Sequence, residues 1–259
     1  MAVKPLPGAQ LDRSHPLAQG LAGCWLMNEG SGLSVYDYSG NDVHATLTNM
    51  PDTSWQASED GSAVMFGGSD DKLSCGTFDP SAGEITLVAH AYITDANQCL
   101  IAKRDTWTAG GMRWQWMYSR IIPIGWQFKV SGTGNTRVIP WTLAVGWHTF
   151  TMINDPAGSY SMYVDGALVG ETTGLAYDTK TTAELKIGAS GDAAEYWRDR
   201  ISHAGIYNRV LTADEVAWRA AEPYCMFARP DRWLRVFDFG AAAAGAVYRP
   251  WLMTGGRMR

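Results

Sequence analysis

Between Leu21 and Arg209 the sequence is a succession of short apolar or alternating runs broken by turn residues, and this cadence constrains the fold more than any other feature. The runs fall at 23–28, 63–66, 85–93, 113–119, 126–131, 148–153, 161–164, 184–187 and 201–207. Turn signals part them, among them Gly30-Ser31-Gly32, Ser39-Gly40-Asn41, Gly67-Gly68-Ser69-Asp70 and Asp155-Pro156-Ala157-Gly158. A strand sends successive side chains to opposite faces, whereas a helix needs apolar positions three and four apart over a longer stretch. Many short strands with frequent turns predict an all-β sandwich or barrel. The sharpest local case is 161–169, two apolar strands about Asp165-Gly166, a pair suited to a two-residue hairpin turn. One helix is expected, opened by the Thr212…Glu215 capping box and stopped by Pro223.

Composition narrows the class. A chain of 259 residues can bury a full core without disulfides or metal. Twelve Trp and a charged fraction of only 18% exclude disorder and a long helical rod. The net charge of −5 argues against a nucleic-acid-binding body, and it conceals an asymmetry. Residues 226–259 hold six Arg and two Asp (6 − 2 = +4), so the preceding 225 carry 15 − 24 = −9. Such a split marks an interaction segment. The first twenty residues read as an extended arm without the apolar stretch of a secretory leader, and no run is long enough to span a membrane. Cys24, Cys75, Cys99 and Cys225 show no CxxC spacing and are expected to be reduced, semi-buried apolar residues. The expected domains are 1–20 as N-terminal arm, 21–222 as the β domain and 223–259 as a basic attachment tail.

Several short motifs, in order, resemble the laminin-G-like (concanavalin A-like) jelly rolls. They are Trp25 with Asn28-Glu29-Gly30-Ser31-Gly32, Asp37-Tyr38-Ser39-Gly40-Asn41, Phe66-Gly67-Gly68-Ser69-Asp70-Asp71, Ile85-Thr86, Trp147-His148, Tyr163-Val164-Asp165-Gly166, Ile187-Gly188 and Ile206-Tyr207-Asn208-Arg209 through Glu215. None is specific alone; their succession over about 21–222 is. The resemblance implies two antiparallel sheets packed face to face, a jelly-roll sandwich with one short C-terminal helix and extended terminal arms. Separately, the arm ending His15-Pro16-Leu17-Ala18-Gln19-Gly20-Leu21, and the post-helix stretch from Pro223 to Pro230 with its following Ala/Gly run, are similar to structural proteins of tailed bacteriophages.

The concanavalin A-like fold includes glycoside hydrolases, which need two carboxylates in one site. No E-x-D-x-E stretch occurs, and Glu195 and Asp199 are interleaved with Arg198 and Arg200 in what reads as a solvated loop. No G-x-S-x-G elbow occurs either, and His90 and His148 read as structural. Glu29, Asp37 and Asn41, with Asp42, Asp70 and Asp71 nearby, lie in loops that the resembling family uses for a structural calcium ion. Ser202 stands where that family commonly has an Asp, which counts against the ion, and Asx-turn capping is the alternative. Trp114, Trp116 and Tyr118 share one face of a strand, either as sugar-stacking surface or, the favoured reading, as sandwich core. Trp107 and Trp141, beside turn residues, are the candidates for carbohydrate or protein contact. Arg229, Arg232, Trp233, Arg235, Arg249 and Trp251 make the tail a docking element for an acidic protein surface or a neighbouring subunit.

The expectation is a non-enzymatic phage virion protein, first of all a head decoration protein that stabilises the shell and displays a weak carbohydrate-binding face. Its expected partners are the major capsid protein or other virion proteins, copies of itself as a homo-oligomer, and a glycan, with no nucleic acid and no membrane. It is expected on the virion surface, and in host cytoplasm during assembly. The alternatives are a carbohydrate-binding adhesin of tail, fibre or baseplate, and a glycoside hydrolase. No heptad or repeat pattern supplies the shaft that a fibre needs.

Overall fold

The computed structural model describes residues 2–80, 83–94, 98–106, 111–121, 123–130, 135–177, 180–190 and 195–227. Its strands are β1 (Leu21–Trp25), β2 (Ser34–Val35), β3 (Ala45–Thr48), β4 (Trp55–Ser58), β5 (Gly61–Met65), β6 (Lys72–Ser74), β7 (Ile85–Ile93) and β8 (Gln98–Arg104). There follow β9 (Met112–Ser119), β10 (Gly125–Lys129), β11 (Thr136–Ile139), β12 (Gly146–Asn154), β13 (Ser159–Val164), β14 (Ala167–Thr173), β15 (Leu185–Ile187) and β16 (Arg200–Tyr207), then the helix α1 (Ala213–Ala221). They form two antiparallel sheets. The first runs β14-β13-β12-β7-β16-β5-β4, with β1 also on β16; the second runs β11-β10-β9-β8-β15-β6-β3-β2. The expected all-β jelly-roll sandwich is what the chain forms.

Alternation along the strands explains where the core sits. On β7, Leu87, Ala89 and Ala91 point between the sheets, and on β9 Trp114, Trp116 and Tyr118 do the same. The aromatic stripe on β9 is therefore core and not a sugar platform. Trp126 lies at its centre, with ring centroids 5.3 Å from Trp116, 5.6 Å from Tyr118 and 4.5 Å from Phe150. The indole N–H groups of Trp114, Trp116 and Trp126 have no acceptor among the described residues. Their contribution is thus shape and apolar area, the term that dominates core energetics.

The hairpin expected at Asp165-Gly166 joins β13 to β14, with φ of 52° and 82° at the two turn residues, the left-handed pair that such a turn requires. Gly166 is also needed for closeness: a Cβ there would meet the Cα of Ala217 at 3.2 Å, because α1 packs on the turn. The helix is capped as expected, with Glu215 N donating to Thr212 Oγ1 and Thr212 N donating to the Glu215 carboxylate.

The outward face of the first sheet carries a second apolar cluster, in which Val88, Ile153, Tyr163 and Tyr207 meet Leu17, Leu21, Val216 and Met226. Leu11 pairs with Phe227 in an isolated bridge, and Asp12 N donates to Met226 O at 2.8 Å. Residues 2–20 and 223–227 are therefore built into the body, which does not stop at 222 as expected. All four cysteines are unpaired; Cys24, Cys75 and Cys99 are buried, and Cys225 is half-buried. Burial raises every one of these thiols, Cys24 to about 12.

Replacing Trp126 by Ala should cost about 3–5 kcal/mol in urea unfolding, because a ring is removed from a packed aromatic cluster. Trp126→Phe should cost less than about 1.5 kcal/mol, since a ring stays and an unpartnered N–H is lost. Equal losses for the two variants would contradict this packing.

Candidate functional site

The outward face of the second sheet is open in part. Where β9, β10 and β11 run side by side, their outward residues line a groove of about 470 Å³ that includes Met117, Gln127, Lys129, Thr136 and Glu195. Its floor is polar and ordered. Gln115 Nε2 donates to Glu195 Oε2 at 2.7 Å, and Arg104 Nη1 reaches the same oxygen at 3.3 Å and Gln115 Oε1 at 2.5 Å. Arg104 and Gln115 are wholly buried, so this network is fixed before any ligand arrives. Burial lowers the Lys129 ammonium, against the pull of Glu195. Glu195 is thus part of the sheet's outer face and not the solvated loop charge expected from its Arg neighbours. No spacing rule could reveal this, because its partners lie on β8 and β9. Asp199 is elsewhere, paired to Arg200 Nε at 2.9 Å.

A second groove, of about 480 Å³, lies past the end of β9, lined by Tyr118, Arg120, Ile124, Pro140, Trp141 and Leu143. Trp141, expected as an exposed aromatic, is half-buried and packs against the core. Four rings hold it: Tyr118 at 5.7 Å, His148 at 5.8 Å, Phe150 at 6.0 Å and Trp126 at 6.3 Å. The other aromatic candidate, Trp107, lies outside the described residues. So do the tail residues Arg229, Arg232, Trp233, Arg235, Arg249 and Trp251.

On the opposite side, one carboxylate ties the terminal segments to the first sheet. Asp60, in the β4–β5 turn and 7% exposed, accepts from Ser58 Oγ (2.6 Å), Ser202 Oγ (2.7 Å) and the Tyr224 hydroxyl. Lys4 Nζ stands 3.8 Å away and donates to the carbonyls of Ser62 and, at 2.6 Å, Ser202. His203 Nδ1 is 3.1 Å from the Tyr224 oxygen; because that hydroxyl donates to Asp60, the imidazole must donate to it, and Nε2 is left without a partner. His90 stacks on His203 at 5.5 Å and meets Thr149 Oγ1 (3.1 Å) and Glu59 Oε1 (3.0 Å). Burial alone would raise the Asp60 carboxyl, but His203, Lys4, Ser58 and Tyr224 outweigh it and hold it well below the usual carboxylate range. Burial pushes His203 well below the ordinary histidine value and lowers His90, Asp60 pulling both the other way. His90 is satisfied, as expected, though on the sheet's outer face and not between the sheets.

The residues expected as calcium ligands make hydrogen bonds to neighbouring backbone and side chains. Asp37 Oδ1 accepts from Cys24 N (2.8 Å) and Ser39 N (2.9 Å), and Oδ2 accepts from Ser39 Oγ (2.7 Å) and Val43 N (3.1 Å). Both oxygens are thus spent on the loop. Asn41 turns its amide nitrogen to Ala22 O at 3.0 Å, and Glu29 Oε1 accepts from Tyr36 N at 2.8 Å. Among the described residues, no three His, Cys, Asp or Glu side chains are arranged to hold a metal. These residues organise loops through Asx-type capping, and Ser202, in the position where a ligand carboxylate was missing, serves Asp60 instead.

Residues 66–217, more than half of the chain, match the sequence profile of the Concanavalin A-like lectin/glucanases superfamily. Comparison with curated proteins finds no sequence match. Solved structures with a similar fold include domain 4 of the GH43 extracellular arabinanase AbnA from Geobacillus stearothermophilus in complex with arabinotriose (TM-score 0.58, 14% identity, 77% of this chain and 98% of that one). The binding domain of Paraclostridial Mosquitocidal Protein 1 matches at TM-score 0.55 and 13% identity, over 79% of this chain and 52% of that one. Trypanosoma rangeli sialidase in complex with the inhibitor DANA matches at TM-score 0.56 and 16% identity, over 80% of this chain and 34% of that one. The chain spans about half of the second structure and about a third of the sialidase.

The two buried histidines set an acid limit. Burial disfavours the charged form of both in the fold, whereas in the unfolded chain they take a proton near pH 6.5 (about the ordinary value). Below that pH the unfolded state binds more protons, and stability falls by up to about 1.4 kcal/mol per pH unit for each histidine. His148 acts oppositely: its hydrogen bond to the Asp165 carboxylate raises it, so its stabilisation is present at low pH and lost as pH rises. Urea unfolding should show a weaker protein at about pH 5 than at about pH 7.5. His203→Asn, whose amide can still donate to Tyr224, should flatten that dependence; unchanged slopes would show that this cluster does not set the limit.

Proposed function

The chain belongs to the concanavalin A-like lectin/glucanase superfamily, and from that premise we propose that it is a non-enzymatic surface protein of a tailed-bacteriophage particle, with a carbohydrate-binding groove as its display face. The observation that carries this reading is the separation of two jobs onto opposite outer faces. The terminal segments, Lys4 and Tyr224 included, are locked onto the outside of the first sheet by Asp60. The ordered polar groove opens on the outside of the second. A domain attached at one face and open at the other suits display. The sequence adds the arm and post-helix motifs similar to phage structural proteins, and a tail of charge +4 on a body of −9.

Head decoration is the first placement, with the tail docked on the major capsid protein or on neighbouring copies. The groove would equally serve an adhesin of tail or baseplate, which is the second reading. Hydrolysis is disfavoured on chemical grounds. Retention needs two carboxylates about 5–5.5 Å apart. Among the described residues lining the groove Glu195 is the single carboxylate, and Gln115 and Arg104 hold one of its oxygens.

Removing 228–259 leaves every described contact of the body in place. The truncated protein should therefore keep its melting temperature yet be missing from purified particles. Normal occupancy would overturn the attachment role, and an array of polysaccharides on which the intact protein stays dark would overturn the display role.

A further inference from the structure

We propose that the ligand is an extended saccharide chain that leaves the outer-face groove, crosses the turn between β9 and β10, and ends on a second subsite built around Trp141. This rests on the carbohydrate reading above. The described residues between β9 and β10 divide between the two grooves. Ser119, Ile121 and Pro123 face the outer groove, while Arg120 and Ile124 face the Trp141 groove. On this proposal a chain leaving one groove passes these residues to reach the other. Ile121, at 68% exposed, and Ile124, at 44%, offer apolar surface there. Each groove alone, at about 470 and about 480 Å³, is in the lower half of the range for small-molecule sites.

The two ends differ in chemistry in the way a polymer site requires. The outer groove offers fixed hydrogen-bonding groups, Glu195 and Lys129 above the buried Arg104–Gln115 pair. The Trp141 groove offers a flat apolar ring, on which the C–H face of a sugar can lie, with the Arg120 side chain beside it. Four surrounding rings already fix the Trp141 indole, so little rotamer entropy is lost when a sugar stacks there. Two linked sites bind a chain that spans them far more tightly than a fragment that fills one.

The test measures calorimetric affinity for disaccharides and octasaccharides cut from host capsule, arabinan, cellulose and chitin, using the full chain. The octasaccharide of the recognised polymer should bind at least about tenfold tighter than its disaccharide. Trp141→Ala should remove that length preference and leave disaccharide binding intact, while Lys129→Ala should weaken both. Should Trp141→Ala unfold, Arg120→Ala, on an exposed side chain, tests the same subsite. Equal affinity for the two lengths, or a length preference untouched by both groove variants, overturns the second subsite and leaves the carbohydrate reading standing. Failure of every saccharide to bind overturns the carbohydrate reading and this inference with it.

Discussion

A carboxylate taken out of water must be met by donors, and the way Asp60 is met holds the rest of this molecule in its arrangement. Its partners come from four places along the chain: the donors Ser58 beside it, Ser202 on β16 and Tyr224 after the helix, and the Lys4 ammonium near the start as a counter-charge. Removing any one leaves a buried charge less well compensated, so the segments are coupled through a shared partner as well as through their direct contacts, such as Lys4 with the Ser202 carbonyl and His203 with Tyr224. The consequence for the sandwich is coverage. Without residues 2–20 and 223–227, the cluster around Val88, Ile153 and Tyr207 on the outer face of the first sheet would lose Leu17, Tyr224, Met226 and Phe227 from its cover. The arms complete the domain as much as they extend it.

Legibility in the sequence followed the range of the interactions. The strands that could be read, such as β7, β9 and β13, keep a visible period of two or a long apolar run. The hairpin at Asp165-Gly166 and the cap at Thr212 rest on neighbours only a few residues apart, and both were readable. β8 was not. Its sequence Gln98-Cys99-Leu100-Ile101-Ala102-Lys103-Arg104 is buried along its whole length, so polar residues sit where a half-exposed strand would show none. Lys103 is tolerated there because its ammonium donates to the carbonyls of Thr77, Phe78 and Ala183. The site was less legible than the fold for the same reason. Trp141 could be picked out by its turn, whereas Glu195 acquires its role from Arg104 and Gln115, about ninety and eighty residues away. The acidic loop around Asp37 misled in the other direction, since oxygen-rich turns look alike whether they hold an ion or their own backbone.

The charge pattern has a similar logic. Several cations of the second sheet meet carboxylates: Lys72 and Lys186 share Glu184, Arg113 faces Asp79 and Arg104 faces Glu195. Arg104, Lys186 and Arg113 are buried, so these pairs compensate charges taken out of water and fix where each polar group points. A groove floored this way discriminates by geometry more than by overall charge.

The cysteines have a practical consequence. At a pKa of about 12, only about one Cys24 thiol in 10⁵ is ionised at neutral pH, and Cys75 and Cys99 are likewise buried with raised values. Cys225 alone is partly open, and it stands two residues before Phe227, where the body hands over to the basic tail. A maleimide fluorophore or heavy-atom cluster added to the native protein has one accessible address, with no engineering required. That address lies beside the apolar cluster on the outer face of the first sheet, so a single label reports on the side of the domain where the terminal segments pack.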